Sequence, residues 1–269
     1  GKLFAAAMVP GLILSGLYML YILIRCGLKP ELGPPLPIEE RVFTLNQKVR
    51  LVMTSLVPIM VLILVVLGSI VLAIATPTEA SGLGVLGAIF LAAIYKKLSW
   101  KVLHDSFYAT LKTTSLVLTL YIGGNCFSAV FLGLGGGGFI TDLLLGLNVS
   151  PMFILWLMMM TVFFLGMFID WLGILLIVLP VFTPIADQLG FDPIWFATLI
   201  CVNLQMAFLT PPFGYSLFYL KGIAPPEMTM NKIYKGVLPF VALQWLGLAI
   251  CVYWPDLVLI LPNVVFATK

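Results

Sequence analysis

Charged residues are scarce in this sequence: they make up 9% of its 269 residues, whereas hydrophobic residues make up 62%. The mean hydropathy is +1.15. A soluble domain carries roughly 25% charged residues, so this chain has too few to cover a surface that faces water. The net charge of +3 is small and the basic residues lie in short loops, which argues against nucleic-acid binding. The composition therefore predicts an integral membrane protein that contacts the lipid bilayer.

Histidine and cysteine are rare as well. The single histidine, His104, lies near a predicted cytoplasmic edge, and neither a GxSxG motif nor a pair of intramembrane aspartates accompanies it. The cysteines are far apart, and their positions favour buried, inert thiols over disulfides or metal ligands. They are Cys26, Cys126, Cys201 and Cys251. We therefore predict that the chain is not an enzyme.

Long apolar runs predict the membrane-spanning helices, each of which needs about 20 apolar residues. The candidates are residues 3–25, 51–75, 113–132, 195–220 and 237–260, with a shorter run at 82–95. Loops that contain Lys or Arg alternate with loops that contain neither. This alternation places the basic loops in the cytoplasm and the carboxyl terminus outside. The predicted fold class is an all-α, polytopic helical bundle.

Shorter segments connect these runs. Segment 27–47 is rich in proline and charge, which predicts a cytoplasmic linker. Segment 98–112 has one apolar face and is typical of an interfacial amphipathic helix that enters the next span. GLGGGGF, residues 133–139, lacks the GK[ST] ending of a phosphate-binding loop and predicts a flexible external turn. Thr76 and Glu79 have the spacing of a capping box at a helix start.

An acidic residue interrupts the longest apolar stretch. Two apolar arms, 151–168 and 172–189, are separated by Ile169, Asp170 and Trp171. This tip contains no Lys or Arg, unlike every predicted cytoplasmic loop, so we predict a re-entrant hairpin rather than two full spans. A carboxylate at such depth is costly unless it is paired, solvated or facing an ion. Asp170 either only caps the second arm or caps it and also takes part in a site.

The next span is interrupted by LTPPFGYSLF, residues 209–218. Pro211 and Pro212 remove two backbone donors, and Gly214 follows without a side chain. One interpretation is a proline kink that serves packing. The other is a broken helix of the kind that forms ion and substrate sites in secondary transporters. In that case the freed carbonyls and the Thr210 hydroxyl would bind a hard cation such as Na⁺.

Three strings in this order and spacing resemble one known family. They are ATPTEASGLGVLGAIFLA at 75–92, GMFIDWLGILLIVLPVFTPIADQLGFDP at 166–193 and LTPPFGYSLF at 209–218. Over essentially the whole chain they resemble the large membrane (M) subunit of tripartite ATP-independent periplasmic (TRAP) transporters. TLKTTSLVLTLYIGGNCFSAVF at 110–131 and APPEMTM at 224–230 resemble most the branch labelled for mannitol or chloroaromatic compounds.

The resemblance implies a Na⁺-coupled, elevator-type symporter that imports carboxylates or related organic acids across the bacterial inner membrane, with a periplasmic carboxyl terminus. Na⁺ is expected as the transported coupling ion, without an organic cofactor. Two protein partners are implied: a small four-helix membrane (Q) subunit and a periplasmic substrate-binding (P) protein.

The resemblance also implies a domain organisation. The hairpin and the broken helix would form the second half of an inverted repeat. By the same resemblance, the first half, with its own hairpin and Na⁺ site, is expected to lie outside these 269 residues, either because the sequence is truncated or because that half is a separate chain. We therefore do not expect this piece to transport alone. The predicted regions are a scaffold helix at 1–26, a linker at 27–49, scaffold helices with the interfacial helix at 50–112, half of a transport domain at 113–235, and a C-terminal helix and tail at 236–269. The half transport domain contains the hairpin at 151–189 and the broken helix at 193–220.

The predicted site joins the hairpin tip to the break. Asn203 lies about two helical turns before Thr210 on the same helical face, and it offers a further oxygen. The resemblance implies one Na⁺ and part of the substrate site here. The expected cation ligands come from Gly166, Asp170, Thr210, Pro211 and Gly214. The expected substrate contacts are Asp170, Trp171, Asn203 and Pro212. Trp171 stands where many relatives have a smaller residue, so it would change the volume of the pocket.

Other classes of function stay open at this stage. A channel or a structural membrane subunit without coupled transport is the main alternative, although channels usually present a ring of like residues from identical subunits. Leak conductance without substrate saturation would favour the channel. A membrane enzyme is the least favoured class.

Overall fold

The computed structural model describes residues 1–33, 44–212, 214–225 and 228–266. The described part of the chain is helical and contains no strand. The helices are α1 (Lys2–Leu28), α2 (Leu45–Leu51), α3 (Val57–Val71), α4 (Pro77–Ile94), α5 (Trp100–Gly133), α6 (Gly136–Leu145), α7 (Pro151–Gly166), α8 (Trp171–Gln188), α9 (Pro193–Ala207), α10 (Tyr215–Ile223), α11 (Met230–Tyr253) and α12 (Pro255–Phe266). Ten residues of the predicted linker, 34–43, lie outside the described residues, as do two residues of the APPEMTM string.

Six helices in the described ranges are long and apolar enough to cross a membrane. They are Lys2–Leu28, Leu45–Val71, Pro77–Ile94, Trp100–Gly133, Trp171–Gln188 and Met230–Tyr253. The second of them joins α2 to α3 through a π-helical segment at Val52–Leu56. The prediction of an all-α, polytopic membrane fold is confirmed.

Local sequence explains where several helices begin. Helices α4, α7 and α9 each start with proline, whose missing N–H is not needed in the first turn. Each proline follows a capping side chain: Thr76, Ser150 or Asp192. The predicted capping box is present, since the Thr76 N–H donates to Glu79 Oε2 at 2.8 Å and the Glu79 N–H donates to Thr76 Oγ1 at 3.3 Å.

The segment predicted to be interfacial, 98–112, and the span at 113–132 that it was predicted to enter form one 34-residue helix, α5. Two local predictions differ from the structure. The glycine run is not an extended external turn, because only Leu134 and Gly135 turn the chain before α6 begins at Gly136. Cys126 is exposed on the protein surface, whereas Cys251 is buried as predicted.

Helix α9 forms the centre of the core. It packs against α1, α7, α8, α11 and α12, and ten of its 15 residues are buried. At its start, the buried Trp195 Nε1 donates a hydrogen bond to the Cys251 carbonyl of α11 at 2.8 Å. By contrast, α3 and α4 pack mainly on each other and keep long apolar faces exposed, which suits contact with lipid.

Helix α12 packs against α1. Its last residue, Phe266, lies against Gly1 at the start of α1, next to the Ile70 carbonyl of α3. The side chains of Lys2 and Ile194 line a small cavity together with this end of α12. The start of α1, the start of α9 and the last turn of α12 therefore lie together on one side of the bundle. We call this side the Gly1 end.

Candidate functional site

The hairpin and the broken helix meet inside the bundle. Helices α7 and α9 run side by side in the same direction, since Asn203 Nδ2 donates to the Met159 carbonyl at 2.6 Å and, further along, Gly166 packs on Ala207. A Cβ atom on Gly166 would lie 2.6 Å from the Ala207 Cβ. Both helices end at this level. We call residues 166–171 and 207–214 the junction; Phe213 within it lies outside the described residues.

The depth of the junction fits a re-entrant hairpin. Helix α9 starts at the Gly1 end and its 15 residues cover about 22 Å before the break. Helix α10 then continues for nine residues, about 13 Å more. Helix α7 stops beside the end of α9, and α8 returns to the residues that precede α9. Helix α7 thus ends beside the break rather than beside the far end of α10, and the re-entrant hairpin stays a prediction.

Four helix ends border the two segments of the junction. The carboxyl ends of α7 and α9 bring carbonyl groups that lack intrahelical partners, and the amino ends of α8 and α10 bring N–H groups. Each helix end carries about half an elementary charge, negative at the carboxyl end and positive at the amino end. The junction can therefore attract a cation to one pair of ends and an anion to the other pair.

Asp170 caps the second hairpin arm. Its Oδ2 accepts a hydrogen bond from the Leu172 N–H at 3.2 Å, and the side chain is half-buried. The capping part of the prediction is confirmed. The other carboxylate oxygen is left available to a ligand. Trp171, the next residue, is 40% exposed and stands at the edge of the junction rather than in its buried part.

Thr210 and Gly214 face the interior of the break, whereas the two prolines face outward. Thr210 is 4% exposed and its hydroxyl donates to the Met206 carbonyl at 2.9 Å. The Gly214 N–H donates to the Thr210 carbonyl at 3.0 Å. Pro211 and Pro212 are exposed, and the peptide bond between them is cis. The hydroxyl oxygen of Thr210 keeps its lone pairs for a ligand, because it acts as the donor in its hydrogen bond.

Asn203 carries an unpaired polar atom in the core. Its side chain is fully buried, Nδ2 is bonded to Met159, and Oδ1 has no hydrogen-bond partner among the described residues. The amide orientation is set by Met159, because exchanging the two amide atoms would place one oxygen against another. An unpaired buried acceptor costs about 1–3 kcal/mol. Asn203 therefore offers an oxygen to a cation or a hydrogen-bond donor.

The structure thus divides the predicted site residues into two groups. Gly166 and Asn203 are buried where α7 and α9 face each other, and Thr210 and Gly214 are buried in the break that follows α9. The partly or fully exposed residues are Asp170, Trp171, Pro211 and Pro212. The described residues contain no cluster of three His, Cys, Asp or Glu side chains that could hold a metal ion. A cation at the junction would therefore rely on carbonyl, hydroxyl and amide oxygens with a single carboxylate.

Two contributors to this geometry were absent from the sequence-based prediction. Ala207 lets Gly166 approach, and the Met159 carbonyl fixes Asn203. In the sequence, the small residue Ala207 shortly before Thr210 could have indicated a close contact between helices. No local pattern marks Met159, because its partner is 44 residues away in the sequence.

Replacing Asn203 by leucine should preserve stability and impair function. The variant loses one hydrogen bond, worth about 1 kcal/mol, and also removes the unpaired oxygen, which costs as much or more. We expect an unfolding temperature equal to or above that of the wild type and, when the variant is tested in a complete permease, substrate uptake lowered at least tenfold. Thermal unfolding in detergent and uptake into liposomes measure the two quantities.

Gln244→Leu is the matched control, since Gln244 is also buried with an unpaired amide oxygen but lies on α11. It should retain uptake. Normal uptake by the Asn203→Leu variant, or a clear loss of its stability, would contradict a functional role for Asn203.

Known proteins resemble this chain over most of its length. Residues 1–257 match the family described as "Tripartite ATP-independent periplasmic transporter, DctM component". YgiK of Salmonella typhimurium is 31% identical over 227 residues, which cover 84% of this chain and 51% of YgiK. The sialic acid TRAP transporter large permease protein SiaM of Vibrio cholerae is 27% identical over 264 residues, or 98% of this chain and 60% of SiaM. The C4-dicarboxylate TRAP transporter large permease protein DctM of Pseudomonas aeruginosa is 28% identical over 268 residues, again 98% of this chain and 60% of the relative. The chain thus spans between 51% and 60% of the length of these relatives.

Proposed function

The chain belongs to the DctM component family of tripartite ATP-independent periplasmic transporters, and we propose on this premise that it forms part of the large permease subunit of a secondary transporter for organic acids. The names of two relatives support this substrate class, since sialic acid and C4-dicarboxylates are both carboxylic acids. The relatives named above as transporters are permease proteins rather than enzymes. The proposed location is the bacterial inner membrane, with the carboxyl terminus in the periplasm.

Na⁺ is the proposed coupling ion, and the junction is its proposed binding place. The observation that carries this proposal is the contact between Gly166 and Ala207, which brings the carboxyl ends of α7 and α9 together. Carbonyl oxygens at broken helices are the usual ligands for Na⁺ in secondary transporters. The proposed ligands come from Gly166, Asp170, Thr210, Pro211 and Gly214.

The substrate anion is proposed to bind beside the cation, at the amino ends of α8 and α10. These ends favour a carboxylate because their N–H groups and dipoles are positive. The proposed contacts are Asp170, Trp171, Asn203 and Pro212. A bound Na⁺ would offset the repulsion between the Asp170 carboxylate and the substrate. Cation and substrate would then bind more tightly together than apart, which is the basis of coupled transport.

Transport is proposed to proceed by an elevator movement of the hairpin and the broken helix. The buried residues of α7, α8 and α9 form one hydrophobic cluster with residues of α1, α6, α11 and α12, so a rigid-body movement would carry these helices together. A periplasmic binding protein would deliver the substrate, and a small four-helix membrane subunit would complete the permease. The pairing of α3 with α4 at the margin of the bundle leaves apolar surface for lipid or for such a subunit.

The test is uptake by the complete permease with its binding protein in liposomes. We expect accumulation of an organic acid when Na⁺ is high outside, and at least a tenfold slower uptake when K⁺ replaces Na⁺. Equal uptake with and without the Na⁺ gradient would overturn the coupling. Conductance that does not saturate with substrate would instead indicate a channel.

A further inference from the structure

We propose that Ser128 of α5 is a positioning residue for the hairpin: it holds the second arm, α8, through a backbone carbonyl that Pro180 leaves free. The mechanical consequence is that α5 and the hairpin move together. This consequence rests on the proposed transport function, whereas the contact itself does not.

Pro180 lies inside α8 and creates the unpaired carbonyl. In an α-helix, the carbonyl of Leu176 would accept a hydrogen bond from the N–H four residues later. That residue is Pro180, which has no N–H. An unpaired carbonyl at membrane depth costs free energy, because no water replaces the lost donor.

Ser128 supplies the missing donor from another helix. Its hydroxyl donates to the Leu176 carbonyl at 2.7 Å, and the side chain is only 8% exposed. One turn earlier on α5, Gly124 faces the same residue, and a Cβ atom on Gly124 would lie 2.7 Å from the Leu176 Cβ. The glycine therefore allows the helices to approach closely enough for the serine to bond. We call Gly124, Ser128 and Leu176 the α5–α8 clamp.

Other hydroxyl groups on α5 behave differently. Thr110, Thr113 and Thr119 each donate to a carbonyl four residues earlier in their own helix. Those carbonyls already accept a bond from a helical N–H, so the threonines add little to them. Ser128 instead donates to a carbonyl of a different helix, and that carbonyl is the one that proline deprives of its own donor.

The clamp acts close to the junction. Leu176 lies less than two turns after Asp170, the residue that caps α8. The clamp therefore fixes the direction in which the first turns of α8 point into the junction. The clamp also means that Pro180 is not a free hinge. The hydrogen bond that the Leu176 carbonyl lacks within α8 is replaced by the bond from Ser128 of α5.

A double-mutant cycle tests the contact directly. Ser128→Ala should lower the unfolding temperature by about 3–8 °C, because it leaves the Leu176 carbonyl unpaired. Pro180→Ala restores an N–H within α8, so adding Ser128→Ala to that variant should lower the unfolding temperature by less than about 1 °C. Thr119→Val is the control and should resemble the wild type. An equal loss of stability from Ser128→Ala in both backgrounds would overturn the proposal.

A disulfide tests the common movement in the complete permease. Gly124→Cys and Leu176→Cys are combined in a background that lacks other cysteines, and a small outward shift brings their Cβ atoms to the 3.5–4.5 Å of a disulfide. Oxidised protein should keep at least half of the uptake rate of the same reduced sample. Uptake that is lost on oxidation and restored by reductant would overturn the common movement. If the reduced protein and the wild type both fail to take up substrate, the transport function fails, and the stability cycle still decides the contact.

Discussion

Replacing Gly166 by valine should strongly lower substrate uptake by the complete permease. Even a single Cβ atom at this position would lie 2.6 Å from the Ala207 Cβ and 3.6 Å from the Ile174 Cδ1. Valine adds two further methyl groups, so α7 must move away from α9 by about 1 Å or more. Such overpacking costs about 1–3 kcal/mol of stability. A displacement of this size between groups that bind one ion should lower uptake by about 100-fold.

Uptake rate and unfolding temperature together measure this effect. Gly123→Val on α5 is the matched control, because no atom lies within 4 Å of a Cβ atom there. A compensating pair tests the contact itself: Gly166→Ala should impair uptake, and adding Ala207→Gly should restore most of it. Wild-type uptake by the Gly166→Val variant would show that transport does not require contact between the hairpin end and the broken helix.

Changes at Thr210 and Asp170 should weaken the dependence of uptake on Na⁺. Thr210→Ala removes a hydroxyl oxygen from the buried side of the break. Asp170→Asn removes a charge but keeps a side chain that caps helices as well as aspartate does. If the lost ligand contributes about 1.4 kcal/mol to the binding free energy of Na⁺, its removal raises the half-saturating Na⁺ concentration about tenfold. We expect a shift of at least this size for each variant, measured as initial uptake rate against Na⁺ concentration.

The same pair of variants separates the two interpretations of Asp170. If the residue only caps α8, Asp170→Asn should leave the Na⁺ dependence unchanged, because the cap survives. Thr210→Ser keeps the hydroxyl and should behave as the wild type. Unchanged Na⁺ dependence in both Thr210→Ala and Asp170→Asn would remove these residues from the cation site.

Local sequence was sufficient to predict the interruptions. Two adjacent prolines followed by glycine can hardly continue a helix, and the structure ends α9 at Ala207 and begins α10 at Tyr215. A carboxylate between two apolar arms predicted a turn with a helix cap, and Asp170 caps α8. These features depend on residues that are neighbours in the chain, so their physics is visible in the sequence.

Contacts between distant segments were not predictable in the same way. Asn203 was expected to offer an oxygen, but its bond to Met159 joins residues 44 apart, and no periodicity specifies that partner. The bond from Ser128 to Leu176 joins residues 48 apart. Tertiary packing, rather than local preference, decides these points.

Sodium-dependent stabilisation of the purified protein tests the central claim most directly, namely that the hairpin end and the broken helix together bind a cation. A ligand that binds the folded state alone raises stability by about 2.7 kcal/mol at 100 times its dissociation constant. The unfolding temperature should therefore rise by several degrees as NaCl replaces KCl at constant ionic strength, and Gly166→Val and Thr210→Ala should lose most of this rise. An unfolding temperature that is the same in NaCl and KCl, for the wild type and both variants, would contradict the account.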